Sequence, residues 1–255
     1  MPKIVAIANQ KGGVGKTTTS VNLTAALTKK HFKTLLIDCD PQGNATSGMG
    51  IKKDTKPNLY DQLVGYADIN KCIIETEYGD VIPSNKVLSA ASVELVDVED
   101  AEYILKNQLK TLEKEYDYIL MDCPPSLELL SIIAFTAAES VLIPLQCEYY
   151  ALEGIADLIS TIKLCNKKLN PKLHLEGILL TMYDSRTNLT QQVAWEVKKY
   201  FGDRIFETVI PRSIKLAEAP SFGEPGVVYD RWNRGSRAYM KFADEFIGWQ
   251  SLKEE

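Results

Sequence analysis

Short apolar runs rich in β-branched residues recur along this chain of 255 residues, each followed by a stretch of helix length. That alternation is what most narrows the possible fold. "KIVAIAN" (3–9), "KTLLIDC" (33–39), "YDYILMDC" (116–123), "SVLIPLQC" (140–147) and "LEGILLTMY" (175–183) have too few polar positions for a solvated face. They read as strands of a parallel sheet covered on both sides. "DRIFETVIP" (203–211) predicts a sixth strand and "GDVIPS" (79–84) a shorter one. Helix-period segments at 16–30, 99–115, 127–138, 152–169, 189–201 and 234–249 supply the crossovers that parallel neighbours require. Right-handed crossovers then put helices on both faces of one mainly parallel, twisted sheet. With no linker, repeat or low-complexity tract, residues 1–255 read as a single α/β domain, and 51–98 as an irregular surface excursion within it.

Ligands of such sheets sit beyond the carboxyl ends of the strands, and the chemically informative letters lie there. "NQKGGVGKTT" (9–18) follows the first strand, "DCDPQGN" (38–44) the second, and "DCPPS" (122–126) the third core strand. The first of these matches the phosphate-loop pattern G-x-x-x-x-G-K-[ST] at Gly15, Lys16 and Thr17, with Gln10 where the leading glycine belongs. Gly12, Gly13 and Gly15 free the backbone to turn its N–H groups inward, together with Val14, toward phosphate oxygens. The helix beginning near Lys16 adds its positive N-terminal end, and Thr18 lies in its first turn. This predicts a P-loop NTPase fold that binds ATP with Mg²⁺. Lys16 reaches the β- and γ-phosphates, Thr17 offers a hydroxyl to the metal, and Asp122, after four apolar residues, holds the metal from the opposite side. The residue after Asp122 is Cys123, not the activating glutamate of many ATPases, so slow basal turnover is expected. Taken alone, Lys11 reads as a solvated loop charge, while the pair Asp38 and Asp40 at a strand terminus leaves a solvated loop or helix cap as the alternative to a functional site.

Composition excludes other classes. The five cysteines show no C-x-x-C pair and the two histidines stand apart, so metal-ligand spacing is missing. No uncharged apolar run approaches the ~18 residues of a membrane span, and the start has no signal-peptide pattern, so a cytoplasmic protein is expected. Net charge is −5, yet residues 184–241 hold ten Lys/Arg against seven Asp/Glu, a local basic excess. A phosphate-binding surface needs only such a local excess.

The string "KGGVGKTT" resembles the deviant phosphate loop of the ParA/MinD superfamily of ATPases. "DPQGNATSGMG" (40–50), "DCPPSLELL" (122–130), "PLQCEYYALEGI" (144–155), "LLTMYDSRTNL" (179–189) and "VIPRSIKLAEAPSFG" (209–223) look like the Soj type of ParA partition proteins. The resemblance spans nearly the whole chain and is weakest over 52–98. It implies that Lys11 reaches across a homodimer to the partner's ATP, and that Asp40 positions the water attacking the γ-phosphate. It also implies that Pro211 and Arg212 lie near the adenine base. Arg186 and Lys215 stand where the family keeps its DNA-binding basic residues, with Arg231, Arg234, Arg237, Lys198, Lys199 and Lys241 as possible extensions of that patch. The expected partners are therefore a ParB-type protein that stimulates hydrolysis and non-specific double-stranded DNA, with nucleoid association in the ATP state. The alternatives are a MinD-like positioning ATPase and a metabolic ligase of the dethiobiotin-synthetase kind. Against the first, "KFADEFIGWQSLKEE" suits packing on the sheet better than holding a membrane.

Overall fold

The computed structural model describes residues 2–148 and 151–251. Six parallel strands form one sheet: β1 (Lys3–Ile7), β2 (Thr34–Asp38), β3 (Asp80–Ile82), β4 (Tyr118–Asp122), β5 (Ser140–Gln146) and β6 (His174–Thr181). Their spatial order is β3-β2-β4-β1-β5-β6. The helices are α1 (Lys16–Lys29), α2 (Asn44–Gly48), α3 (Leu59–Leu63), α4 (Leu88–Glu94), α5 (Ile104–Leu109) and α6 (Leu129–Ala137). They continue with α7 (Ala151–Lys168), α8 (Asn188–Phe201), α9 (Ile214–Glu218), α10 (Gly226–Tyr229) and α11 (Arg234–Ser251).

The period-2 alternation of side chains sorts the strands into two cores. Val5, Ile7, Leu36, Leu120, Leu142 and Leu179 face a cluster built with Leu23, Leu27, Tyr239, Phe242 and Phe246 of α1 and α11. Ala6, Leu35, Ile37, Ile119, Met121, Val141, Ile143 and Ile178 face the other cluster, with Leu105 of α5, Phe135 of α6 and Leu158 of α7. Burial on both faces explains why these strands carry almost no polar positions. The C-terminal apolar set does pack inward: Phe246 lies beside Tyr118, and Phe242 and Trp249 beside Phe206. Residues 252–255 of that segment lie outside the described residues, and among the described ones no helix is long and apolar enough to cross a membrane.

Two expectations need correction. Residues 203–211 are not a sixth strand; they meet β6 only through single bridges at Ile205 and Pro211. Phe206 N–H donates to Ile178 and Ile210 N–H to Leu180, so four residues are spent against two of β6. The amides of Glu207 and Thr208 instead donate to the carboxylate of Glu245 on α11. The sixth strand is β3, the shorter strand expected over 79–84, which pairs with β2 at the sheet edge. The helix expected over 99–115 stops at Leu109, because Asn70 takes the carbonyl of Thr111 and the amide of Glu113, holding that stretch as a turn.

The close approach of 203–211 to β6 depends on Gly177. A Cβ built there would lie 2.6 Å from the Phe206 ring and 3.2 Å from the Arg204 carbonyl. Gly177→Ala should therefore cost roughly 1–3 kcal/mol, read as a lowered urea midpoint with an unchanged slope.

Candidate active site

The carboxyl ends of β1, β2 and β4 are in register, with Ile7, Asp122 and Asp38 side by side. The chain leaves β1 and crosses the sheet top as the glycine loop. Gly13 and Gly15 have φ of 74° and 90°, the left-handed region that favours glycine. Gly12 and Gly13 are exposed, and a Cβ on either would meet nothing within 4 Å. Thr181, at the end of β6, fastens the loop from beneath by donating its hydroxyl to the Val14 carbonyl at 2.7 Å. Asn9 ties the start, donating to the Pro144 carbonyl at 2.8 Å and accepting the Lys11 amide at 3.0 Å.

The two lysines diverge. Lys16, only 7% exposed, turns inward and its Nζ donates to the Lys11 carbonyl at 3.1 Å, spanning the cradle. Burial lowers its pKa, and the Asp122 charge opposes that shift. Lys11 is exposed on the loop, and its ammonium forms an ion pair with Glu148, just past the end of β5. Its backbone belongs to the cradle while its side chain leaves it.

Asp122, fully buried, collects two hydroxyls from the first turns of α1: Thr17 Oγ1 to Oδ2 and Ser20 Oγ to Oδ1, each at 2.8 Å. A carboxylate with adjacent hydroxyl oxygens, facing the phosphate cradle, is a donor set suited to Mg²⁺ and not to softer metals. Burial raises the Asp122 pKa, and the neighbouring Asp38 charge adds to the shift.

Asp38 and Asp40 do different work. Asp38, fully buried, accepts the amide and hydroxyl of Thr46, both at 2.7 Å, and so fixes α2 to the end of β2. Burial raises its pKa as well, against the lowering effect of the Thr46 hydrogen bonds. Asp40 lies past the strand end, 8% exposed, with Oδ1 accepting the Gln42 amide at 2.9 Å and its carbonyl held by Ser84 at 2.9 Å. Its carboxylate shares an electrostatic environment with Lys16 and Asp122.

Pro211 and Arg212 follow the last bridge to β6, where Tyr183 N–H donates to Ile210 and Met182 takes a left-handed φ of 48°. Arg186 stands on the turn after β6 and Lys215 on α9, away from the buried cluster. The Arg212 charge is felt at Asp184, the ion-pair partner of Arg186, so the region of Pro211 and Arg212 adjoins that basic surface. Arg231, Arg234, Arg237, Lys198, Lys199 and Lys241 are all exposed. Sequence reasoning missed Ser20, Thr46, Thr181 and Glu148. Only Ser20 had a local signal, being three residues after Thr17 on the same helical face. Among the described residues no group of His, Cys, Asp and Glu forms a separate metal site, and all five cysteines are buried thiols.

A parallel sheet whose first strand runs into a lysine-bearing glycine loop and a helix N-terminus, with a strand-end Asp facing the helix hydroxyl, defines a P-loop nucleotide-binding protein. A family model described as an AAA domain matches residues 2–175. The chain is 54% identical over 248 residues to the sporulation initiation inhibitor protein Soj of Bacillus subtilis, covering 96% of this chain and 98% of that protein. It is 50% identical over 248 residues to the chromosome partitioning protein ParA of Myxococcus xanthus, covering 96% and 88%. Among solved structures, cobyrinic acid a,c-diamide synthase from Mycobacterium smegmatis, with a bound ATP analog and magnesium, superposes with a TM-score of 0.84 at 34% identity over 96% and 93% of the two chains. The chain belongs to the Soj/ParA family of chromosome-partitioning P-loop ATPases.

The buried carboxylate gives a pH test. Asp122 is raised in the fold, so it favours the folded state at acid pH, and that contribution is lost as pH rises toward neutrality. Without nucleotide, Asp122→Asn should therefore gain thermal stability relative to wild type between about pH 5 and about pH 8. The same variant should lose Mg²⁺-dependent ATP binding, checked by calorimetric titration.

Proposed function

We propose that this chain is an ATP-driven partition switch: it binds ATP with Mg²⁺, pairs with a second copy around two nucleotides, holds DNA without sequence preference, and lets go after hydrolysis prompted by a ParB-type partner. The observation that carries the reading is the divergence of the two loop lysines. Lys16 is committed to its own cradle. Lys11 leaves that cradle for an exposed carboxylate, where it can be exchanged for a phosphate of a facing subunit.

The unobstructed space at Gly12 and Gly13, with the amides of Val14, Gly15 and Thr18, supports binding of a triphosphate. Thr17 and Asp122 fit Mg²⁺, whose charge would offset that developing on the β- and γ-phosphate oxygens. Lys16 carries the fixed positive charge of the cradle. Asp40, anchored by Gln42 and Ser84 beyond β2, orients the attacking water in line; phosphoryl transfer asks for geometry more than for a strong base. Pro211 and Arg212 would flank the adenine. Cys123, buried beside Asp122, offers no carboxylate to speed the reaction, which supports a slow basal rate.

Two copies of Arg186 and Lys215, with the exposed lysines and arginines around them, would give the dimer a basic surface large enough to retain DNA, while a monomer presents half of it. The 54% identity to Soj and 50% to ParA favours this reading over metabolic ligase chemistry. The packing of α11 against β4 and Phe206 favours it over a membrane-binding tail.

With ATP and Mg²⁺, Asp40→Ala should bind nucleotide, run as a dimer in light scattering, and hydrolyse at least tenfold more slowly than wild type. Lys11→Ala should bind ATP and stay monomeric. A monomer for both proteins at every ATP concentration would refute the sandwich.

Basal hydrolysis should rise severalfold when a cognate ParB N-terminal peptide and DNA are added together, measured by phosphate release. No response to either with the correct partner would refute the partition role.

A further inference from the structure

Both cations proposed to carry the DNA surface are already engaged. The Arg186 guanidinium, on a side chain 86% exposed, forks onto Asp184: Nε donates to Oδ1 at 2.9 Å and Nη2 to Oδ2 at 2.8 Å. Lys215 donates to Glu218 Oε2 at 2.9 Å, one helical turn on, and lies over the Tyr229 ring at 5.7 Å. Asp184 Oδ1 also accepts the Arg186 backbone amide at 3.1 Å, so the turn itself presents the guanidinium to that carboxylate.

We propose that Asp184 and Glu218 are positioning residues of the DNA surface that mask Arg186 and Lys215, ordering each cation while lowering the affinity of the dimer for DNA. The inference rests on the reading that these two cations meet DNA phosphates. Each partner lies two or three residues away in the chain, so the pair forms at little entropic cost and is present before DNA arrives. An exposed pair of this kind is weak and salt-screened, so a phosphate can replace the carboxylate. The phosphate offers the guanidinium the same two-pronged geometry. The exchange leaves an uncompensated carboxylate beside the DNA anion. For each of the two pairs, the contact that must break and the anion left behind oppose binding, so the effect acts twice per subunit and four times per dimer. A surface built this way holds DNA loosely, as a protein that must rebind repeatedly along a chromosome requires.

The test compares DNA affinity of dimers loaded with ATPγS, by fluorescence anisotropy on a random duplex over a salt series. Asparagine at 184 and glutamine at 218 retain an oxygen acceptor for the local hydrogen bonds. Asp184→Asn and Glu218→Gln should each tighten binding roughly threefold to tenfold at low salt, with a gain that shrinks as salt is raised. The gain from Asp184→Asn should vanish in an Arg186→Ala background, and that from Glu218→Gln in a Lys215→Ala background. Asp203→Asn, an exposed carboxylate outside both pairs, should change affinity less than twofold. No gain, a gain that persists without the cation, or an equal gain from Asp203→Asn would overturn the mask. If Arg186→Ala weakens binding while Asp184→Asn is silent, the mask alone fails. If Arg186→Ala binds DNA like wild type, the DNA surface is misassigned and the mask falls with it.

Discussion

The active site hangs on one buried carboxylate. Asp122 ends β4, between β1 and β2, and takes a hydroxyl from Thr17 on one oxygen and from Ser20 on the other. Those bonds fix the rotation of α1 over the sheet, and α1 carries Lys16 and the first-turn amides that follow the glycine loop. Burying such an anion is expensive without partners. The two hydroxyls offset part of that cost, and the raised pKa shows that part remains. A cation opposite Asp122 would remove it, so the site is electrostatically suited to the Mg²⁺ proposed to bind there.

Around that centre the design separates what must stay fixed from what must move. Thr181 holds the loop and Asp38 holds Thr46, through short bonds between buried groups. Lys11, Arg186 and Lys215 are instead held by carboxylates in solvent-accessible pairs. Such pairs are weak enough to exchange for phosphate and strong enough to keep long side chains from wandering. All three residues are those proposed to act on something outside the subunit: a partner's nucleotide or a DNA backbone. The buried bonds hold the groups proposed to bind the subunit's own ATP, and the exposed ones hold those proposed to make its associations.

The sequence by itself determined the parallel sheet, the helices on both faces and the glycine loop that joins β1 to α1. Buried strands must be apolar on both sides, and a phosphate loop must hold glycines and lysine at set spacing. Both demands are local, so both are written in contiguous letters such as "KIVAIAN" and "KGGVGKTT". The tertiary structure alone decided which short strand completed the sheet. Residues 203–211 have strand composition, but Glu245, distant in the chain, captures two of their amides, while "DVI" at 80–82 gains the edge beside β2. It also decided that Asp38 anchors α2 while Asp40 is left at the cradle, and that Lys11 and Arg186 wait on Glu148 and Asp184. Such partnerships depend on where distant backbone segments come to rest and where side chains point once packed, and spacing along the chain does not encode either.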